Sequence, residues 1–538
     1  MQSRKIRGAW IGSLLAIAVV ALISATLGAH GGRAATGHVQ SVAQCTGGFS
    51  NGSAINVVSP KFLPDVPKNQ LFCDFHTFGW NQFIYLTQMQ SDPNNGGRVT
   101  PLFMHLAPWY NMLPRLAGAQ PGAFPGGSTA LLAGPIDKLQ AGDQDQLLDV
   151  NSAAVLYDIR FNDTFYNSVV SQKLYNAALF DQSCAQNKAG VCTNPMYLPA
   201  VAAGTSGQPA SAGSLEVKTA WRDFGAPAAC PGNFYCNGRF GLVGMHIVQK
   251  TPTHGEWIWA SFEHEANAPD CNLGGDSPIP QTAPSGKPWS FFNPASAPTD
   301  VWASQACKVT APAQCNSDPR YQVTKHITLY RPVNVCRTDT VPAGGASAAN
   351  CAVVGDGPPQ QSSNSPGNVA CLNASLRPQL PGVWTHYKMI GSLWVRGQTG
   401  PTQDFRIQAF QTPPTSGPPT PYAEAVGFPH LANTTMETWL QAGSTGYDPF
   451  ASSSNYGTNA TQAGCFLCHN LPTTGAGQER TADLSHFPAR LAAGVQQARR
   501  AALVAADFTT AVRPEQLQLP ESVRRGRVLG AQPGLATP

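Results

Sequence analysis

The sequence predicts a mainly β protein with short helices: a β-rich body threaded by Gly/Pro-rich loops. Three observations carry this expectation. Gly (52) and Pro (46) make up about 18 % of the 538 residues, against a usual level of about 12 %. Charged residues are only 12 %, roughly half the common share, which argues against coiled coils and long solvent-facing helices. Branched and aromatic residues also alternate over short runs bounded by turn residues, as half-buried strands require. The apolar share of 42 % is enough for a sizeable core and excludes general disorder.

In chain order, residues 36–70 read as turns with a few strand-like stretches. Phe75–Gln88 places Phe75, Phe78, Phe83 and Leu86 near helical spacing, predicting a short amphipathic helix. Ala153–Phe161 and Ser214–Trp221 alternate as strands. Gly241–Gln249, a turn at Thr253–Gly255 and Trp257–Glu263 read as a β-hairpin. Val323–Tyr330 and Trp384–Val395 are further strand candidates, and Trp221, Trp257 and Trp259 are expected in the sheet core. Pro121–Gly134, Val201–Gly213, Gly274–Pro288, Pro342–Gly367 and Gln411–Pro421 read as connections. Arg490–Ala506 is Ala-rich and helix-prone, and 513–538 reads as a flexible tail. No repeat of fixed period is present.

The start of the chain reads as an export signal. Arg4, Lys5 and Arg7 precede 22 uncharged residues, Gly8–Ala29, followed by small residues. That run suits a cleaved signal peptide over 1–35, and its length equally suits a single retained N-terminal membrane anchor. Setting aside those three cations, the 34 basic residues fall to 31 against 30 acidic. The phosphate-neutralising surplus of a nucleic-acid binder is missing. The expected location is periplasmic or otherwise exported, with attachment to the inner membrane if the apolar run is retained.

The 14 cysteines agree with export. Two lie in Cys465-Phe466-Leu467-Cys468-His469 and leave an even 12. Cys184/Cys192, Cys230/Cys236 and Cys307/Cys315 are spaced for local loop staples, and Cys45/Cys73 and Cys336/Cys351/Cys371 for longer ones. Spacing alone does not fix the pairing.

Cys465-x-x-Cys468-His469 matches the attachment motif of c-type haem. Two thiols three positions apart share one side of a helical turn, where both can form thioethers with the vinyl groups, and the adjacent imidazole reaches the iron. Chance yields about 0.008 such matches in a chain of this length and composition. Structural zinc would need a second close ligand pair, and the sequence has no other Cys-x-x-Cys. One covalently attached haem c is therefore expected, held by Cys465 and Cys468 with His469 as proximal iron ligand.

The sixth ligand stays open at this stage. No Met follows His469, and His486 is the only histidine downstream. Met436 and His430 precede the motif, and His264 stands among Glu263, Glu265 and Asn267, which could serve a distal pocket or form a hairpin end facing water. Two protein ligands favour electron transfer, whereas an open position permits peroxide or small-ligand chemistry. Gly48-Phe49-Ser50-Asn51-Gly52 matches the nucleophile-elbow pattern, but lacks the flanking strand and helix and reads as a turn beside Cys45.

Trp80–Leu86, Ser214–Arg222, Trp257–Asn267 and Leu431–Thr438, together with Cys465–His469, resemble a group of large exported bacterial proteins of the generic cytochrome c family type. The resemblance implies covalent haem and electron transfer, with no assigned substrate. Small cytochromes c are similar only at the attachment motif, because Gly443–Gly464 is rich in Gly, Ser and Asn where they have an amphipathic helix. The expected organisation is a β-rich body over 36–421, a haem-attachment segment with short helices over 422–512, and the tail. The expected function is that of an exported monohaem cytochrome passing single electrons to a periplasmic redox partner. The alternatives are a haem enzyme, peroxidase- or oxidase-like, with an open iron position, or a ligand-binding module carrying a redox haem.

Overall fold

The computed structural model describes residues 45–67, 71–92, 97–112, 120–124, 147–151, 153, 155–173, 175–176, 198–200, 212–223, 240–254, 257–270, 279–295, 335–337, 351, 365–396, 424–427 and 432–438. Among these, the fold is mostly β-sheet with few short helices. The strands are β1 (Met89–Asp92), β2 (Arg98–Pro101), β3 (Ala107–Pro108), β4 (Val155–Phe161), β5 (Leu215–Asp223), β6 (Phe240–Lys250), β7 (Trp257–His264), β8 (Tyr387–Arg396) and β9 (Glu424–Gly427). The α-helices are α1 (Phe72–Leu86), α2 (Asp163–Ser171) and α3 (Ser365–Leu376).

β3 to β9 form one seven-stranded sheet in simple sequence order, every neighbour antiparallel. β1 and β2 make a separate hairpin. Alternation gives the large sheet two different faces. The first carries Val217 on β5, Met245 and Ile247 on β6, Ala260 and Phe262 on β7 and Met389 on β8, all in one apolar cluster with Trp80 and Phe83 of α1. Register puts Glu216, Lys218, His246, Ser261, Glu263 and Lys388 on the second face.

α1 overlaps the expected 75–88 helix but starts three residues earlier, at Phe72, and is not amphipathic. Fourteen of its fifteen residues are buried, including His76, Thr77, Asn81 and Gln82. Two of these polar side chains bond the chain just before the helix: Asn81 Nδ2 donates to Lys61 O at 2.9 Å and Gln82 Nε2 to Leu63 O at 2.9 Å. Asp74 accepts from the Leu71 amide at 2.9 Å and from Ser50 N at 2.7 Å, capping the helix start. Gly79 allows the helix to lie against the sheet. A Cβ there would stand 2.8 Å from both Ala260 Cβ and Met389 Cε.

Disulfides Cys45–Cys73 and Cys351–Cys371 fasten this layer, each closing a spacing that the sequence marks as a long-loop candidate. The Cys45 amide donates to Cys351 O at 2.5 Å, so the two staples meet. Ser50, inside the nucleophile-elbow match, bonds Asp74 in a turn, as expected.

β4, β5 and the β6–β7 hairpin lie within a residue or two of their expected limits. Other elements depart from expectation. Trp384–His386 belongs to a 3-10 turn, Gly382–His386, and β8 begins only at Tyr387. α3 starts at Ser365 inside the expected 342–367 connection; a proline in the first helical turn loses no hydrogen bond, so Ser-Pro-Gly opens the helix instead of barring it. β9 pairs with β8 in register Leu393↔Gly427, so the sheet continues past residue 421. Val323–Tyr330, the other proposed disulfides, the export signal and the tail lie outside the described residues. Among the described residues no helix is long and apolar enough to cross a membrane.

Candidate functional site

The second sheet face is covered at one end by the turn 432–438, part of the Leu431–Thr438 stretch singled out in the sequence. The turn docks through side-chain and backbone bonds. Asn433 Nδ2 donates to Phe262 O at 2.8 Å and to Ser261 Oγ at 3.2 Å, while its Oδ1 accepts from the Thr435 amide at 2.9 Å. The Thr434 amide donates to Glu263 Oε2 at 2.8 Å, and Tyr157 OH donates to Thr435 O at 2.6 Å. A Cβ on Gly244 would sit 2.2 Å from Thr435 Oγ1 and 3.1 Å from Asn433 Oδ1. Only a residue without a side chain admits the turn this close to β6.

Gly244→Ala is accordingly expected to lift the turn and cost about 1–3 kcal/mol. Loss of hydrogen-exchange protection at the Thr434 and Thr435 amides is the local sign; unchanged protection there would contradict the contact.

Glu263 lies at the centre of a buried ion cluster. Arg337 Nη1 donates to its Oε1 at 2.8 Å and also reaches Thr434 Oγ1 at 3.2 Å. Lys388 Nζ stands 3.3 Å from the same carboxylate oxygen. Glu263 and Arg337 are 0 % and 1 % exposed. Burial pushes the Glu263 carboxyl up, but Arg337, then Lys388 and the donors of Thr434 outweigh it and hold it below the ordinary 4.5. Glu263 is therefore ionised at neutral pH, with the side chains of Arg337 and Lys388 beside it.

Beside it, on adjacent strands, stand Lys218 and His246, paired across β5 and β6. His246 Nε2 lies 3.2 Å from Glu437 Oε2, which also accepts from the Asn433 amide at 3.0 Å. Burial lowers the Lys218 ammonium, and the charges of Glu437 and Glu216 pull the other way. Burial, helped by the Glu437 charge, raises the Tyr157 phenol well above 10. Lys218 Nζ lies 5.4 Å from the Tyr157 ring centre.

The haem-motif residues Cys465, Cys468 and His469 lie outside the described residues, as do His486 and His430. Met436 is 0 % exposed in an apolar cluster with Leu147, Val155, Tyr157 and Phe291, where its thioether is already packed. His264 ends β7 and is half-buried. Its Nδ1 accepts from the Ala266 amide at 3.1 Å, which leaves the proton on Nε2. Burial, then the neighbouring His386, lower its pKa to about 4, against the weaker pull of Glu265. Glu265 is itself engaged by His386 Nδ1 at 2.8 Å and by Arg377. Asn267 turns away to donate to Val243 O at 2.7 Å. Glu263, Glu265 and Asn267 are thus committed to three different structural tasks.

Arg337, Lys388, Lys218, His246, Tyr157 and Glu437 escape the sequence reading. The signal that could have found some of them is a charged or imidazole side chain at a sheet-facing position of an otherwise apolar strand, as in Leu215-Glu216-Val217-Lys218 and Gly244-Met245-His246-Ile247. Among the described residues no group of three or more His, Cys, Asp or Glu could hold a metal ion.

The class that these observations define is a β-sheet protein with disulfide staples at Cys45–Cys73 and Cys351–Cys371 and a buried polar seam under the turn 432–438. Comparison with family models, with curated proteins and with solved structures finds no match.

Proposed function

We propose that this chain is an exported monohaem c-type cytochrome that passes single electrons to a periplasmic redox partner. The observation that carries the reading is Cys465-x-x-Cys468-His469 in a chain that opens with an export-type segment. Cys465 and Cys468 hold the haem and His469 binds its iron. When bound, the haem supplies a one-electron couple. The two disulfides support the compartment, since such staples persist where thiols are not kept reduced.

Ligand challenge tests the reading. The matured protein is expected to show low-spin iron in both redox states, with spectra unchanged by cyanide, carbon monoxide or peroxide. A high-spin iron that binds them and turns over peroxide would overturn electron transfer in favour of catalysis.

A further inference from the structure

The end of β7 carries a second polar cluster, and it pins one surface corner of the fold. The corner runs from Arg377 to His386, between α3 and β8, through two short 3-10 turns. It rests on two apolar feet. Leu380 and Trp384 are buried in the cluster that holds Phe83 and Tyr387, and the Trp384 ring lies 5.4 Å from Tyr387 and 6.0 Å from Phe83. Pro378, Gln379, Pro381, Gly382 and Val383 are exposed. The Leu380 and Trp384 amides donate within the corner, to Arg377 O at 3.1 Å and Pro381 O at 3.3 Å. The polar ties to the end of β7 run through Glu265. One of its carboxylate oxygens takes Arg377 and the other His386 Nδ1 at 2.8 Å, while its amide donates to His386 O at 2.8 Å.

His264 stands beside this clasp, half-buried, its ring 5.7 Å from that of His386 and edge-on to Tyr387 at 5.3 Å. The charged and titratable groups around it are Glu263, Glu265, Arg377, His386 and Tyr387. Glu263 is committed to Arg337 and Lys388, and burial pushes the Tyr387 phenol up, so it stays neutral. A proton on His264 therefore adds positive charge next to Arg377 and His386, and Glu265 already serves both. A charged His386 tightens its own bond to Glu265 but repels a charged His264. Burial, then His386, hold His264 down at about 4 against an ordinary 6.5. A state in which the corner has lifted and water reaches the ring thus takes the proton first as pH falls. The closed corner has its full advantage above 6.5 and loses it as pH drops toward 4. Burial pushes the Glu265 carboxyl up, but His386 and Arg377 outweigh it and hold it below 4.5, so it acts in the same direction at lower pH.

We propose that the corner 377–386 is an acid-released flap: Glu265 clasps it to the end of β7 at neutral pH, and protonation of His264 opens it, baring Leu380 and Trp384 while the sheet stays folded. The division of contacts makes the opening local. The amide bonds of the corner are its own, and the β7–β8 ladder runs from His264↔Tyr387 to Trp259↔Leu393 without it. Val383, 66 % exposed, precedes Trp384, so opening joins an exposed apolar side chain to buried ones. The flap needs no haem and goes beyond that reading; an exported chain, as proposed above, meets the pH of its surroundings.

Hydrogen exchange of the full-length protein, corrected for the intrinsic rate at each pH, tests this at the Glu265 and Leu380 amides, with the amides of β5 and β6 as reference. Opening of the corner is expected to rise about tenfold from pH 7 to pH 5, which is the effect of the His264 shift discounted for its partial exposure. The reference amides keep their protection. His264→Asn preserves an acceptor for the Ala266 amide and does not titrate; its opening is expected to change less than about twofold over the same range. Glu265→Gln is expected to raise opening about tenfold or more already at pH 7, because it removes a charged acceptor. Equal protection at pH 7 and pH 5 in wild type, or the same rise in His264→Asn as in wild type, overturns the proposal. Loss of the reference amides together with the corner also overturns it, since that is acid unfolding of the whole. If His264→Asn fails to fold, Glu265→Gln decides, and a corner as closed as that of wild type at pH 7 overturns the clasp.

Discussion

Glu263→Gln is expected to destabilise the protein by about 3–5 kcal/mol, because it removes one member of a buried charge cluster and leaves the others uncompensated. Arg337 is 1 % exposed and has no comparable substitute: Asp270, the other acid near it, lies 3.9 Å away and is 43 % exposed. Lys388 is 20 % exposed and adapts through solvent, so Arg337 bears the larger consequence. The same substitution weakens the grip on the Thr434 amide, so the turn 432–438 loosens with it. Denaturant unfolding reads the loss, and a value within a few tenths of a kcal/mol of wild type would contradict the cluster's role. The double variant Glu263→Gln/Arg337→Met is expected to lose less than the sum of the single losses, since each single change strands a charge that the double removes.

The pH dependence follows with a definite sign. Glu263 is held below its ordinary 4.5 in the folded protein, so the unfolded chain binds the proton first as pH falls. Its contribution is full above 4.5 and is lost as pH drops through the lower folded value. Stability of wild type is therefore expected to fall over that acid window more steeply than that of Glu263→Gln.

His469→Ala is the second large effect, and it acts on the cofactor and not on the sheet. On the proposed haem reading the thioethers belong to Cys465 and Cys468, so haem mass is expected to persist while native axial ligation is lost completely. The low-spin spectrum should disappear and the midpoint potential should move. Retention of the wild-type spectrum in a folded, haem-carrying His469→Ala protein would contradict His469 as proximal ligand.

The parts of the fold legible in the sequence are those where one local pattern suffices. The β6–β7 hairpin shows alternation on both sides of a turn, and α1 shows aromatics at helical spacing. α2 was missed although Asn162 caps it by accepting from the Phe165 amide at 3.0 Å; Val169, Val170 and Thr164 are weak helix formers, and the run is short. α3 was hidden by Ser-Pro-Gly, and β3 is two residues long, with no periodicity to read. The polar seam is harder in kind. Arg337 meets Glu263 across 74 positions and Asn433 meets Ser261 across 172, so no window of sequence contains both partners. Lys218 and His246 were visible as polar intrusions in apolar strands, but their meaning depends on which strands pair and on Glu437 returning from far along the chain. The motif Cys465–His469 is the opposite case: the reading proposed for it rests on five consecutive residues and on no feature of the fold.

Intact mass of the chain after maturation in an export-competent bacterial host tests the account most directly. The account predicts one haem mass above the polypeptide, carried by the peptide spanning Cys465–His469 and absent from Cys465→Ser/Cys468→Ser. A matured chain at bare polypeptide mass, or one with Cys465 and Cys468 joined to each other as a disulfide, would contradict it.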